Sequence, residues 1–161
     1  DVFNEMSLEN LQKVKELTIP LYEKGEQTLL ILDDMASSLR ASRNIELELT
    51  DLVHNHRHYN LSIVFCCQCY KSVPPKIRSA ARFLTIFSCD VTSERESIFE
   101  DLPIPKSAYN DLFKFVFENP DDVDKKDNLG RRLKNNLYID KSKSNFPKIR
   151  YYKNFDNIEF E

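Results

Sequence analysis

Thr28-Leu29-Leu30-Ile31-Leu32 runs without a charge and ends in two adjacent carboxylates, Asp33 and Asp34. A continuous apolar run suits a parallel-sheet strand covered on both faces, and ligands in open α/β sheets bind beyond the carboxyl ends of such strands. Acid placed at that edge can do chemistry. The plainer alternative is a strand that stops in a polar turn. A metal-dependent nuclease built on Asp33 and Asp34 is a further alternative, but the additional acid and lysine pattern it needs is missing nearby.

Other clusters carry less chemistry. His54 and His58 are four residues apart and would share a helical face, yet no general-base Glu lies between them and no third zinc ligand is evident, so a structural role is preferred. Cys66, Cys67 and Cys69 lack paired C-x-x-C spacing and read as buried, reduced cysteines of a reducing compartment. Lys71, Lys76, Arg78 and Arg82 occur with no acid between Tyr70 and Cys89. Lys141, Lys143, Lys148, Arg150 and Lys153 surround Phe146, Tyr151 and Tyr152. Basic groups interleaved with aromatics can contact phosphates and stack on bases, the alternative being a solvated face.

These residues need elements to hold them. Ser7 can cap a helix from Leu8 to Leu17, with Leu8, Leu11 and Val14 on one face, broken by Pro20 and Gly25 before the first strand. After Asp34 a polar loop is expected over Ser37–Asn44, then a helix from Ile45 to His56 and a second apolar strand from Leu61 to Cys67. Paired prolines suggest a short helix from Pro75 to Ala81, followed by a strand from Arg82 to Ser88. This alternation implies a parallel α/β sheet with right-handed crossovers. Ser93 with Glu96 suggests a capping box for a helix to Phe99, and Lys106–Phe117 reads as an amphipathic helix. Asn119–Asn128 reads as an exposed polar loop. Short strands at Leu137–Ile139 and Ile149–Tyr152 could close the fold.

At 161 residues and 41% hydrophobic content the chain can bury a core, and one domain is the expectation. Within it, residues 1–27 form a helix and linker, 28–118 the core and 119–161 a C-terminal extension. No apolar stretch approaches the roughly 20 residues that span a bilayer, so a soluble protein with no membrane partner is expected. The net charge of -3 argues against a wholly basic nucleic-acid binder. The chain opens at Asp1, which suggests a piece of a longer or processed protein. Only Gly25 and Gly130 are present, so no G-x-x-x-x-G-K-[ST] phosphate loop can be written within these residues.

Several segments, in order, resemble one family. The apolar run closed by Asp33-Asp34 looks like the Walker B motif of nucleotide hydrolases. Together with N-H-R-H-Y-N-L-S-I at Asn55–Ile63, C-Q-C-Y at Cys67–Tyr70, V-P-P-K-I-R-S-A-A at Val73–Ala81 and Y-K-N-F-D-N-I at Tyr152–Ile158, it resembles the poxvirus-type genome-packaging ATPase of large DNA viruses. That family belongs to the FtsK/HerA superfamily of P-loop motors, and the resemblance runs from Thr28 onward, to the family's C-terminal half only.

The resemblance implies an α/β fold with a parallel sheet of the P-loop type and extra strands, lacking the Walker A strand and loop in these residues. It implies ATP-driven translocation of double-stranded DNA into a viral capsid, with ATP and Mg²⁺ as cofactors. Asp33 would associate with Mg²⁺, Asp34 would orient or deprotonate the attacking water, and Gln68 would sense the γ-phosphate. Many relatives carry Glu at the second acid position, so Asp34 reaches one methylene less far. Arg57 or Arg78 would complete a neighbouring subunit's site in a homo-oligomeric ring. Lys71, Lys76, Lys148 and Arg150 would contact DNA. Viral capsid proteins are expected partners, and the virus factory in the host cytoplasm or the virion is the expected location. These residues alone are expected to be inactive, and the alternative is a non-enzymatic P-loop relative that binds DNA or capsid protein.

Overall fold

The Ser7 hydroxyl accepts a hydrogen bond from the Asn10 amide at 3.2 Å and starts α1, Leu8–Glu23. The computed structural model describes residues 2–89, 91–102, 104–118, 134–141, 150–154 and 156–158. It divides the chain into two compact units, Asp1–Ala80 and Ala81–Glu161.

In the first unit α1 runs past Pro20, where a break was expected. Proline removes one amide donor and does not force an end when the flanking turns hold. Gly25 ends the helix instead: at φ +74 it donates to the Tyr22 carbonyl while Glu26 donates to Leu21, both at 2.9 Å, a Schellman closure. β1, Thr28–Asp33, follows. The expected polar loop after Asp34 contains a short helix, α2, Ala36–Ala41, because Ala, Leu and Arg tolerate a helical turn. α3 spans Arg43–Asn55, a 3₁₀ turn spans His56–Tyr59, and β2 is Leu61–Cys66. Asn60 adopts φ +47 and donates through its side chain to the Glu26 carbonyl at 2.8 Å, which aligns the starts of the two strands. β1 and β2 pair in parallel, Thr28 opposite Leu61 and Asp33 opposite Cys66. α4, Pro75–Ala80, ends the unit.

Only one sheet face is covered. Leu30, Leu32, Leu61, Ile63 and Phe65 pack with Leu11 and Val14 of α1, Leu49 and Leu52 of α3, and Ile77 of α4. On the opposite face Leu29, Ile31 and Val64 are 57%, 59% and 44% exposed, against the expectation of cover on both sides. Among the described residues of this unit, the helices supply cover for one face only. Lys15 of α1 binds Glu48 and Asp51 of α3 at 2.7 and 3.0 Å and fixes the helix pair. Leu49 is fully buried, so Leu49→Ala should lower stability by about 2–5 kcal/mol. A shift of the denaturation midpoint corresponding to less than about 1 kcal/mol would show that the core does not rest on α3.

In the second unit β3, Phe83–Phe87, was expected as the third parallel strand. It pairs antiparallel with β4, Asn136–Asp140, which pairs antiparallel with β5, Arg150–Lys153, and that with β6, Asp156–Ile158. The reason is legible in burial: Ile86, Leu137, Ile139 and Tyr151 are buried while Phe83, Thr85 and Phe87 are exposed, the alternation of an antiparallel sheet with one wet face. α5, Thr92–Glu100, is capped at Val91 with no side-chain hydrogen bond. Ser93 therefore lies inside the helix and forms no capping box; its carbonyl accepts from the Ser97 hydroxyl at 3.0 Å. α6, Lys106–Phe117, lies against β4 and buries Tyr109, Leu112, Phe113 and Val116. Arg95 links the two helices: its guanidinium lies 4.0 Å from the Phe113 ring centroid and 3.6 Å from Glu118 Oε1. The loop expected at Asn119–Asn128 lies outside the described residues. No helix among the described residues is long and apolar enough to cross a membrane.

Candidate functional site at the carboxyl end of the parallel strands

Asp33 closes β1 and is exposed, opposite Cys66 in register. Asp34 then leaves the strand in the left-handed region at φ +50. Asp and Asn are among the few non-glycine residues that enter this region readily, and such a position still costs about 1–3 kcal/mol unless its surroundings fix it. Two bonds fix it here. The Asp34 amide donates to the Cys66 carbonyl at 3.0 Å, carrying the strand pairing one residue beyond β1. Its carboxylate Oδ2 accepts from Gln68 Nε2 at 3.3 Å. Residues 34 apart in sequence thus meet because β1 and β2 run in parallel and stop together.

Asp33, Asp34 and Gln68 therefore form one cluster, open to solvent. The donor set suits Mg²⁺, which binds protein through one or two carboxylates and fills its remaining positions with water and substrate phosphates. Among the described residues no three His, Cys, Asp or Glu side chains converge as a metal cage. His56 Nδ1 lies 2.7 Å from the Val53 carbonyl, a local turn contact. Cys66 and Cys67 are exposed, where buried thiols were expected. Cys66 falls on the open face of β2, and Cys67 follows the strand's end.

The two arginine candidates lie in different places. Arg57 lies in the 3₁₀ turn before β2, at the opposite end of strands that rise about 3.3 Å per residue, roughly 17 Å from the acids. Within one chain it is out of reach of Asp34. Arg78, in α4, places its guanidinium 4.7 Å from the centre of the Tyr70 ring. Lys71 and Lys76 are exposed on the Tyr70–Ser72 turn and α4, and Arg150 is exposed at the start of β5. Lys148 lies outside the described residues.

Two features escaped the sequence reading. The left-handed Asp34 carries only the weak local signal of its own residue type, with neither Asn nor Gly beside it. The rings of Phe83, Tyr138 and Tyr152, far apart in sequence, line up across three strands. Tyr152 was noted beside Tyr151, but only strand alternation separates the half-buried ring on the open face from the buried one.

The family model described as Poxvirus A32 protein matches residues 4–129. No curated protein and no solved structure matches the chain.

Proposed function

Since the chain belongs to the poxvirus A32 protein family, whose role is viral genome packaging, we propose that it forms part of an ATP-driven translocase of double-stranded DNA. The observation that carries this reading is the meeting of Asp33, Asp34 and Gln68 at one strand edge. Asp33, the last strand residue, would hold Mg²⁺. When bound, that ion neutralises charge on the transferred phosphoryl group. Asp34 would orient the attacking water and accept its proton. Gln68 holds the Asp34 carboxylate through its amide nitrogen and keeps its amide oxygen available for that water.

Arg57 at the far strand end suits action on a neighbouring subunit in a homo-oligomeric ring. Arg78 would have to leave the Tyr70 ring to do the same. Capsid proteins are the further partners of such a motor, in the virus factory or virion.

The DNA-facing part of the reading rests on exposed cations. Lys71, Lys76 and Arg150, with Lys148, would contact phosphates and leave the bases unread. Duplex affinity should fall steeply with salt and vary little with sequence. Replacing Lys148 and Arg150 by Ala should flatten the log–log salt slope by about 0.9 for each lost phosphate contact. A strong sequence preference, or an unaltered slope, would place these residues on a merely solvated face.

The second reading is a non-enzymatic module that binds DNA or capsid protein. It is favoured by the two-glycine composition, which admits no phosphate loop within these residues. A G-x-x-x-x-G-K-[ST] segment elsewhere in the same polypeptide separates the two.

A further inference from the structure

The open face of the antiparallel sheet carries a row of aromatic rings. Phe83 and Tyr138 stack at 5.9 Å between centroids with planes 14° apart, and Tyr138 meets Tyr152 at 5.6 Å. Phe83 and Phe87 remain 53% and 58% exposed. Leaving a Phe half wet forgoes roughly 1 kcal/mol of burial, and this strand does so twice. We propose that this face binds single-stranded DNA by stacking its bases on the Phe83–Tyr138–Tyr152 row.

The chemistry around the rings selects that occupant. The exposed face of β1 and β2 is aliphatic, Leu29, Ile31 and Val64, and offers no π-face to a base. The sheet of the second unit instead places Thr85 opposite Tyr138 and Asn136 opposite Phe87, hydrogen-bonding groups between rings. At one end Asp140 pairs with Phe83 on one side and Arg150 on the other. The exposed Arg150 stands across from Asp140 on this face, and Arg82, also exposed, lies just before β3. A nucleic acid strand needs flat rings for its bases, cations for its phosphates and scattered polar groups, and this face has all three. DNA is the strand that a genome-packaging protein meets. The inference goes beyond duplex translocation, which needs no base stacking, and does not depend on ATP hydrolysis.

The test is fluorescence anisotropy of a labelled oligothymidylate DNA strand, with an oligouridylate strand and a duplex of equal length as comparisons. Phe83→Ala should weaken thymidylate binding about tenfold, within the range for losing one base stack. Phe83→Leu should weaken it equally, because it restores area without a π-face, whereas Phe83→Trp and Tyr152→Phe should retain it. Duplex binding should be unchanged in all four variants, which separates failure here from failure of the duplex-translocation reading. Wild-type affinity in Phe83→Leu would show that no base stacks on this ring and would overturn the proposal. Equal losses on duplex and single strand, no saturable thymidylate binding at low salt, or tighter uridylate binding would each overturn the proposal.

Discussion

Asp34→Asn should retain nucleotide binding and lose at least about a hundredfold in turnover, the scale for removing a general base. The substitution is chosen for what it leaves alone. Asn enters the left-handed region as readily as Asp, so the backbone at φ +50 and the bond from the Asp34 amide to Cys66 should survive. Its side-chain oxygen can still accept from Gln68 Nε2. What disappears is the charge and the capacity to take a proton. Asp33→Asn should instead weaken Mg²⁺-dependent nucleotide binding, because that carboxylate is assigned to the ion. The measurement is steady-state phosphate release beside equilibrium nucleotide binding, in a polypeptide that carries a phosphate-binding segment together with these residues. Unchanged hydrolysis in Asp34→Asn would remove this residue from the mechanism, and equal loss of binding in both variants would dissolve the division of labour between the two acids.

The cluster was legible because its parts depend on local rules. An apolar run closing in two carboxylates locates a strand end, and a second apolar run closing near Gln68 locates another. Parallel pairing with both ends level brings them to one edge. The left-handed turn that aims Asp34 at Gln68 depends on where β2 stops, which no residue type near Asp34 encodes. Arg57 precedes the second strand, so parallel pairing leaves it at the amino edge of the sheet, away from the acids at the carboxyl edge.

The second sheet shows why pattern reading failed elsewhere. Phe83-Leu84-Thr85-Ile86-Phe87 looks like a buried parallel strand because Phe counts as apolar at every position. In the structure Phe83 and Phe87 share the open face with Thr85, and only Leu84 and Ile86 fall on the covered face. Strand order follows tertiary partners: Ile86 and Leu84 lie opposite Leu137 and Ile139, some fifty residues away. Helix ends followed backbone closure more than residue type. Pro20 was the stronger sequence signal and Gly25 the operative one.

Buried tyrosines on the other side of that sheet lead to a second large effect. Burial pushes the Tyr151 hydroxyl up to about 12. Burial likewise pushes Tyr109 to about 12, with Arg95 opposing and Cys89 adding to the shift. In an unfolded chain both would ionise near 10, so above that pH the unfolded state releases protons that the folded state still holds. The stability contributed by these groups is therefore complete below about pH 10 and is lost as pH rises through about 12. At about 1.4 kcal/mol per pH unit, each tyrosine should cost about 2–3 kcal/mol across that window. Lys15 acts in the same direction in the first unit: burial lowers its pKa, the bonds and charges of Glu48 and Asp51 more than compensate, and the raised value makes its contribution fade above 10.5. Tyr109→Phe and Tyr151→Phe variants separate the two sources, since neither touches Lys15. Chemical denaturation across this range should show a steep fall in midpoint for the parent chain and about half of the tyrosine-dependent fall in each single variant. An unchanged pH slope in the double Phe variant would show that the alkaline transition begins elsewhere.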